Sequence, residues 1–169
     1  MRQDDLAKHF EKLIAQNELL IYKVCRIYVK SDADIKDLFQ DILLQLWRSF
    51  PSFRGDSKFS TWLYRVAINT AIRAVNNQKA LARNQESLAF SAVIVEDHCR
   101  TSEDQIKEMY SAIDKLNEIE KAIIMLYLED RSYEEMEEVL GISQGTLRVK
   151  MNRIKDKIRQ LTKLPEYGT

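Results

Sequence analysis

The 169-residue chain has 45% hydrophobic and 9% aromatic residues, which is ordinary for one or two globular domains. No apolar run approaches the ~20 residues that a transmembrane helix needs, and the amino-terminal residues lack the apolar core of a signal peptide. With only 4 glycines and 2 prolines, and no long alternating apolar run, the sequence predicts an all-α fold. We expect a cytoplasmic protein without membrane insertion.

The formal net charge is zero, but the charges are segregated along the chain. Residues 1–50 are balanced, residues 51–84 carry +5, residues 85–142 carry −10 and residues 143–169 carry +5. Two basic blocks divided by an acidic one favour two contacts with a polyanion, although solvated helix faces are the simpler alternative. The same pattern raises the hypothesis that the free chain folds back and masks its basic surfaces.

The cysteines indicate neither a disulfide framework nor a metal site. Cys25 lies in an apolar helical context, which predicts a core position. His98 and Cys99 are neighbours, but a structural zinc site requires four ligands. We therefore expect no metal and no cofactor.

In chain order, residues 4–30 predict one bent helix or a pair of amphipathic helices. A second helix begins near Ser31, a candidate cap with Asp34 three residues on, and ends before Pro51. Its polar face carries Leu44 within a charged stripe. An apolar anchor inside a charged rim is typical of a docking surface, whereas one stray exposed leucine is equally common. The stripe consists of Asp37, Asp41, Leu44 and Arg48.

The segment 51–77 combines a glycine-containing loop with a helix rich in aromatic, arginine and asparagine residues. Such a combination suits single-stranded nucleic acid, because a base stacked on a ring gains about 1–3 kcal/mol and arginines hold phosphates. For Trp62, a core position is the simpler explanation. The polar positions off the predicted core face are Tyr64, Arg65, Asn69, Arg73 and Asn76.

The apolar residues of the segment 78–102 no longer follow helical spacing, which predicts a linker. The apolar patch 89–95 within it has no assigned role. A second helical unit follows, with capping-box spacing at Ser102, Asn117 and Ser132. Its expected core includes Ile106, Tyr110, Ile119 and Tyr127. A turn at Gly141 then leads into a basic helix, and together they predict a helix-turn-helix whose second helix enters the major groove of DNA.

Two motifs carry a family resemblance: FRGDSKFSTWLYRVAINTAI at 53–72 and YEEMEEVLGISQGTLRVKMNRIK at 133–155. In this order and separation they resemble the extracytoplasmic-function (ECF) sigma factors of bacterial RNA polymerase, in the sigma-70 family. The resemblance covers nearly all of the chain outside the linker. It implies a region-two bundle at 1–77, a flexible linker at 78–102 and a region-four helix-turn-helix at 103–169.

The resemblance implies a sigma factor, not an enzyme, that directs promoter-specific initiation. The implied partners are core RNA polymerase (the clamp helices of its beta-prime subunit and its beta flap), promoter DNA and an anti-sigma factor. The implied polymerase-binding residues are Asp37, Gln40, Asp41, Leu44 and Arg48. The implied contacts to the melted minus-ten element are Phe53, Arg54, Ser57, Lys58, Phe59, Trp62, Tyr64, Arg65, Asn69 and Arg73, with a flipped base accommodated in the loop 53–60. The implied contacts to the duplex minus-thirty-five element are Gln144, Thr146, Arg148, Lys150, Asn152, Arg153 and Lys155.

The chain departs from the family pattern at three positions. Glu137 replaces the usual alanine, and Val149 and Asn152 replace a small hydroxyl and an aromatic residue or histidine in the recognition helix. A promoter sequence therefore does not transfer from the family.

Two other classes of function compete with this interpretation. A helix-turn-helix repressor or activator explains the second unit, but not the docking stripe or the aromatic segment. An enzyme would have to use one of the carboxylate clusters, 32–41 or 134–138, whose side chains spread around their helices with no accompanying histidine.

Overall fold

In the computed structural model, which describes residues 3–84 and 102–162, all regular secondary structure is helical. Helices α1–α3 form the first lobe (residues 3–84), and α4–α7 form the second lobe (residues 102–162). The all-α prediction is confirmed. The helices are α1 (Gln3–Tyr28), α2 (Asp32–Ser49), α3 (Phe59–Asn84), α4 (Ser102–Asp114), α5 (Glu118–Leu128), α6 (Tyr133–Leu140) and α7 (Gln144–Thr162), with a 3-10 turn at Phe50–Ser52.

The first lobe follows its sequence signals closely. Helix α1 is one continuous helix. Helix α2 begins where the Ser31 side chain accepts a hydrogen bond from the Asp34 backbone N–H at 3.1 Å, and its apolar stripe is buried from Ile35 to Leu46. Cys25 is fully buried, as predicted, and this desolvation raises the pKa of its thiol to about 11.

Helix α3 is longer than the sequence analysis expected. It continues to Asn84, so residues 78–84, which were expected to belong to the linker, are helical. The reason is helix propensity: residues 78–83 are Gln, Lys, Ala, Leu, Ala and Arg, all good helix formers even without an apolar stripe. The rest of the expected linker, including the apolar patch 89–95, lies outside the described residues.

The second lobe contains the predicted caps and turn. Complete capping boxes occur at Asn117 and Ser132, and Gly141 ends α6 in the left-handed region with φ 68°. The expected core was wrong at Ile106 and Tyr110 of α4, which are 53% and 51% exposed. The same is true of two α5 residues, Ile119 and Tyr127. Their helices present these side chains at the rim of the lobe, where helical spacing alone does not decide burial.

The two lobes pack against each other. Helix α3 contacts α6, and α1 contacts α5 and α4. At one of these contacts the Tyr28 hydroxyl donates a 2.8 Å hydrogen bond to the Glu118 carbonyl oxygen. Within residues 3–84 and 102–162, none of the helices is both long and apolar enough to cross a bilayer. The same ranges contain no cluster of three or more His, Cys, Asp or Glu side chains that could hold a metal ion.

Candidate nucleic-acid interface

The candidate docking stripe lies on the outer face of α2. All five predicted polymerase-binding residues are exposed, and Leu44 keeps 46% of its surface accessible. The opposite face of the same helix buries Ile42 and Leu46 completely in the first-lobe core. Because the core fixes the rotation of the helix, α2 exposes an apolar side chain between Asp41 and Arg48 of the charged stripe. The five residues are Asp37, Gln40, Asp41, Leu44 and Arg48.

An aromatic cluster shapes the loop between α2 and α3. Phe53 lies 5.6 Å from Phe59 and 5.0 Å from Trp62, measured between ring centroids. Phe50 is buried beneath them and contacts all three rings. Phe53, Phe59 and Trp62 are only half-buried, so they support the loop and also keep ring surface available.

A pocket of ≈ 370 Å³ opens beside this aromatic cluster. Its volume falls at the lower end of the range of about 300–1,000 Å³ that is usual for small-molecule sites. The loop turns at Gly55, whose φ of +76° is a conformation that residues with a Cβ rarely adopt. An unstacked base entering this pocket would meet aromatic surface together with guanidinium and hydroxyl donors. Five of the predicted minus-ten residues line it: Phe53, Arg54, Ser57, Trp62 and Arg65.

A line of polar side chains continues from the pocket along α3. Arg65, Asn69 and Arg73 are all exposed and follow each other at intervals of four residues. That spacing places them on one stripe about 12 Å long, since a helix rises 1.5 Å per residue. Two arginines flanking an amide can hold phosphates and a base edge of one strand.

One predicted minus-ten residue, expected off the core face, is buried. Tyr64 is fully buried, because its ring faces inward on α3 and the Arg131 guanidinium lies over it, 5.2 Å from the ring centroid. Desolvation raises the pKa of the Tyr64 hydroxyl to about 12. In this arrangement Tyr64 is a packing residue, and its contact with DNA stays a prediction.

The helix-turn-helix consists of α6, the turn at residues 141–143 and α7. Ser143 caps α7 by accepting a 3.4 Å hydrogen bond from the Thr146 backbone N–H. Glu137 is half-buried and accepts a 3.1 Å hydrogen bond from the Gln144 side chain, so it links the two helices of the motif. The unusual residue at this position is therefore accommodated by a polar contact.

The predicted minus-thirty-five residues divide by exposure. Thr146, Arg148, Asn152 and Arg153 are exposed, whereas Gln144, Lys150 and Lys155 are half-buried. The Arg148 guanidinium lies 5.0 Å from the centroid of the Tyr133 ring, which orients it across the motif. Lys155 is turned aside, because its ammonium group donates to the Tyr127 hydroxyl at 3.1 Å.

The sequence analysis missed the residues of the second lobe that reach the start of α3. Arg131 donates a 3.4 Å hydrogen bond to the Ser60 hydroxyl, and Glu135 pairs with Lys58 at 3.1 Å. Arg131 belongs to no recognised motif, and Glu135 was recognised only as part of the second family motif and of the capping box at Ser132. The sequence signal related to them was the opposite charge of the basic block 51–84 and the acidic block 85–142. That signal does not specify individual ion pairs.

Comparison with known families matches both lobes. The family described as Sigma-70 region 2 matches residues 13–81, and the family described as Sigma-70, region 4 matches residues 106–158. The ECF RNA polymerase sigma-E factor of Haemophilus influenzae is 32% identical, over 89% of this chain and 86% of its own length. The Escherichia coli K12 protein of the same name is 30% identical, over 89% of this chain and 85% of its own length.

Two solved structures share the fold. The sigma factor RpoE from Bartonella quintana, in complex with the anti-sigma factor NepR, superposes with a TM-score of 0.77 at 19% identity, covering 94% of this chain and 99% of that chain. CnrH, in complex with the cytosolic domain of CnrY, gives a TM-score of 0.67 at 20% identity, covering 93% of this chain and 89% of that chain. Both lobes thus have the architecture of known sigma factors, and with the sequence matches this shows that the chain belongs to the ECF family of RNA polymerase sigma factors.

Proposed function

We propose that this sigma factor divides promoter recognition between its lobes: the first docks on core RNA polymerase and holds the melted minus-ten element, and the second reads the minus-thirty-five element as duplex. The observation that carries this proposal is the position of two surfaces on one lobe. An exposed acidic stripe with an apolar anchor lies on α2, and a base-sized pocket with a basic line lies along α3.

The polymerase contact is assigned to the α2 stripe. The clamp helices of the beta-prime subunit would bury Leu44 at the centre, with Asp37 and Asp41 meeting basic side chains at the rim. This arrangement fits a hot-spot interface, in which one apolar anchor contributes most of the affinity and the rim supplies specificity. The second lobe would contact the beta flap.

The DNA contacts are assigned by exposure. On the first lobe, one flipped base enters the pocket at the aromatic cluster, and Arg65, Asn69 and Arg73 follow the strand. On the second lobe, Arg148 and Asn152 are positioned to read base edges, because an arginine pairs with guanine and an asparagine with adenine in the major groove. Arg153 would hold a phosphate.

We also propose control by an anti-sigma factor. One structural relative was solved in complex with the anti-sigma factor NepR, and the other in complex with the cytosolic domain of CnrY. An apolar groove of ≈ 290 Å³ between α1 and the second lobe is a candidate docking position. Leu19 and Leu128, on either side of it, are 63% and 50% exposed. An amphipathic helix of the regulator would cover such side chains.

The direct test is to mix the purified chain with core RNA polymerase stripped of its own sigma factor and to follow both by gel filtration. We expect co-elution. A chain that stays separate from the core enzyme but binds duplex DNA would contradict the polymerase role. It would instead favour a helix-turn-helix repressor.

A further inference from the structure

Helix α7 carries an apolar side chain at the centre of its outward face. Resting on the proposed function, we propose that Val149 is a specificity-determining residue, which packs on the C5-methyl group of a thymine in the minus-thirty-five element. The guanidinium and amide contacts assigned above do not account for a valine at this position.

The core of the second lobe fixes the direction in which Val149 points. Leu147 and Met151 are completely buried, and each lies two residues from Val149. Because two residues turn an α-helix by about 200°, Val149 lies nearly opposite the buried face. Its side chain is 51% exposed, although a β-branched residue is a less favourable choice for an exposed helical position. Neither core packing nor helix propensity therefore explains the valine.

Uncharged residues form the centre of the outward face, and arginines form its flanks. Gly145, Val149 and Asn152 follow one another at intervals of four and three residues, so they share one stripe. The exposed Arg148 and Arg153 lie on either side of that stripe. In a major groove the phosphates line the edges and the base edges form the floor. The stripe between the two arginines is therefore the part of α7 that faces the bases.

The two ends of this stripe indicate how far the helix enters the groove. Gly145 has no side chain, and a Cβ built there would meet nothing within 4 Å. Glycine weakens a helix, so at a position where packing leaves room for a side chain it favours close approach of the helix to DNA. At the other end, the side chain of Asp156 is 66% exposed and pairs with Arg159 at 3.1 Å. Its carboxylate would repel phosphates, which limits base reading to the amino-terminal half of α7.

The chemistry of a valine side chain selects thymine among the four bases. Thymine presents a methyl group in the major groove, which an apolar side chain can cover. The other three bases present hydrogen-bonding groups there without a methyl group. Valine cannot pair with these groups, so covering them would leave buried donors or acceptors unsatisfied. Thymine is therefore favoured by contact, and the other bases are disfavoured by desolvation.

Asn152 adds a second preference close to the first. It lies about 4.5 Å further along the helix axis than Val149, since each residue rises 1.5 Å. Successive base pairs are about 3.4 Å apart along the duplex. The adenine proposed for Asn152 is therefore expected one or two base pairs from the thymine that Val149 contacts.

The loss of a single methyl group tests the contact. The full chain is bound to core polymerase, and this holoenzyme selects duplexes from a random-sequence library. Each thymine of the selected upstream element is then replaced by deoxyuridine, which keeps the base pair but lacks the methyl group. We expect wild type to lose about fourfold in affinity at one thymine, the factor that burial of one methyl group predicts.

Val149→Ser completes a double-mutant cycle with this change in the DNA. The substitution removes both methyl groups of an exposed side chain, so the fold should be retained, and circular dichroism verifies it. We expect Val149→Ser to bind the thymine and deoxyuridine duplexes equally well. Ile106→Ser is the matched control, because Ile106 is 53% exposed on α4, outside the motif. It should keep the wild-type sensitivity to the methyl group.

A methyl group added to the DNA gives the converse measurement. The sensitive T·A pair is replaced by C·G, with the cytosine either unmodified or methylated at C5. Because the C5-methyl of cytosine projects into the major groove as that of thymine does, we expect wild type to prefer the methylated duplex several-fold. Val149→Ser should bind both duplexes equally.

Two results would overturn the assignment of Val149. The first is that no thymine of the upstream element responds to the loss of its methyl group. The second is that Val149→Ser loses as much affinity as wild type at the sensitive thymine. In either case the valine is an exposed apolar residue without a role in base recognition.

The failure of this inference can be distinguished from the failure of the proposed function. If the holoenzyme enriches an upstream element without a methyl effect, the function stands and the role of Val149 is wrong. If the chain does not bind core polymerase, the selection is repeated with the free chain, on which this face of α7 is exposed. A methyl effect there would keep the inference for a duplex-binding repressor, whereas no enrichment in either selection would refute both.

Discussion

Replacing Leu44 perturbs the proposed polymerase contact without touching the core. A leucine fully removed from water contributes about 1.5–3 kcal/mol. Because Leu44 is 46% exposed in the free protein, docking can bury roughly half of that amount, about 1 kcal/mol. Leu44→Ala should therefore weaken binding to core polymerase about fivefold. Leu44→Asp should weaken it by at least about tenfold, since its carboxylate would lose water in an apolar contact.

The assay is a fluorescence titration of labelled protein with sigma-free core polymerase, with circular dichroism to verify the helical fold. Leu81→Asp is the matched control, because Leu81 is 66% exposed on α3, away from the docking stripe. We expect the control to bind as wild type does. Unchanged affinity of Leu44→Asp, with a wild-type dichroism spectrum, would remove the assignment of α2 as the docking surface.

Three further predictions concern DNA reading, the turn and pH. Arg148→Ala should cost roughly 1–3 kcal/mol at one base pair of the cognate site, measured by fluorescence anisotropy, and a uniform loss over all sequences would make it a phosphate contact. Gly141→Ala should lower the free energy of unfolding by about 1–2 kcal/mol, because Gly141 has a positive φ. Gly145→Ala should raise the free energy of unfolding by up to about 1 kcal/mol, because a Cβ at Gly145 meets open space. Urea titrations measure both changes. Hydrogen bonds from Lys79 and Lys58 lower the pKa of Glu118 and Glu135, respectively, from 4.5. The stabilisation that these two carboxylates give to the contact between the lobes is therefore complete above pH 4.5 and is lost as the pH falls through the lowered pKa values. The radius of gyration from small-angle X-ray scattering should therefore increase below about pH 4.5, as the lobes separate. A radius of gyration that stays constant to lower pH would contradict the last of these.

Local signals in the sequence identified most of the helices and their ends. The spacing of apolar residues predicted which face of α2 is buried, and the capping patterns at Ser31, Asn117 and Ser132 predicted three helix starts. These signals work because a cap or a stripe depends on residues within one or two turns. The exposed stripe around Leu44 follows from the same periodicity.

Other features depend on contacts between distant parts of the chain. Tyr64 was predicted to contact DNA and is buried, because Arg131, 67 positions further along, lies over its ring. Ile106 and Tyr110 have core spacing and are exposed; Tyr110 lines the groove between α1 and the second lobe instead of the core. Periodicity identifies an apolar face but not whether a neighbour packs on it.

The sequence by itself determined the helical class, the helix starts, the two family motifs and the family, because each depends on short-range spacing or on motif order. Only the tertiary structure decided which lysine meets which carboxylate between the lobes and which of the predicted DNA-binding residues remain exposed. Charge segregation predicts that the lobes attract each other. The individual pairs, such as Lys58 with Glu135, exist only because the packing of α3 against α6 brings two surfaces of opposite charge into register.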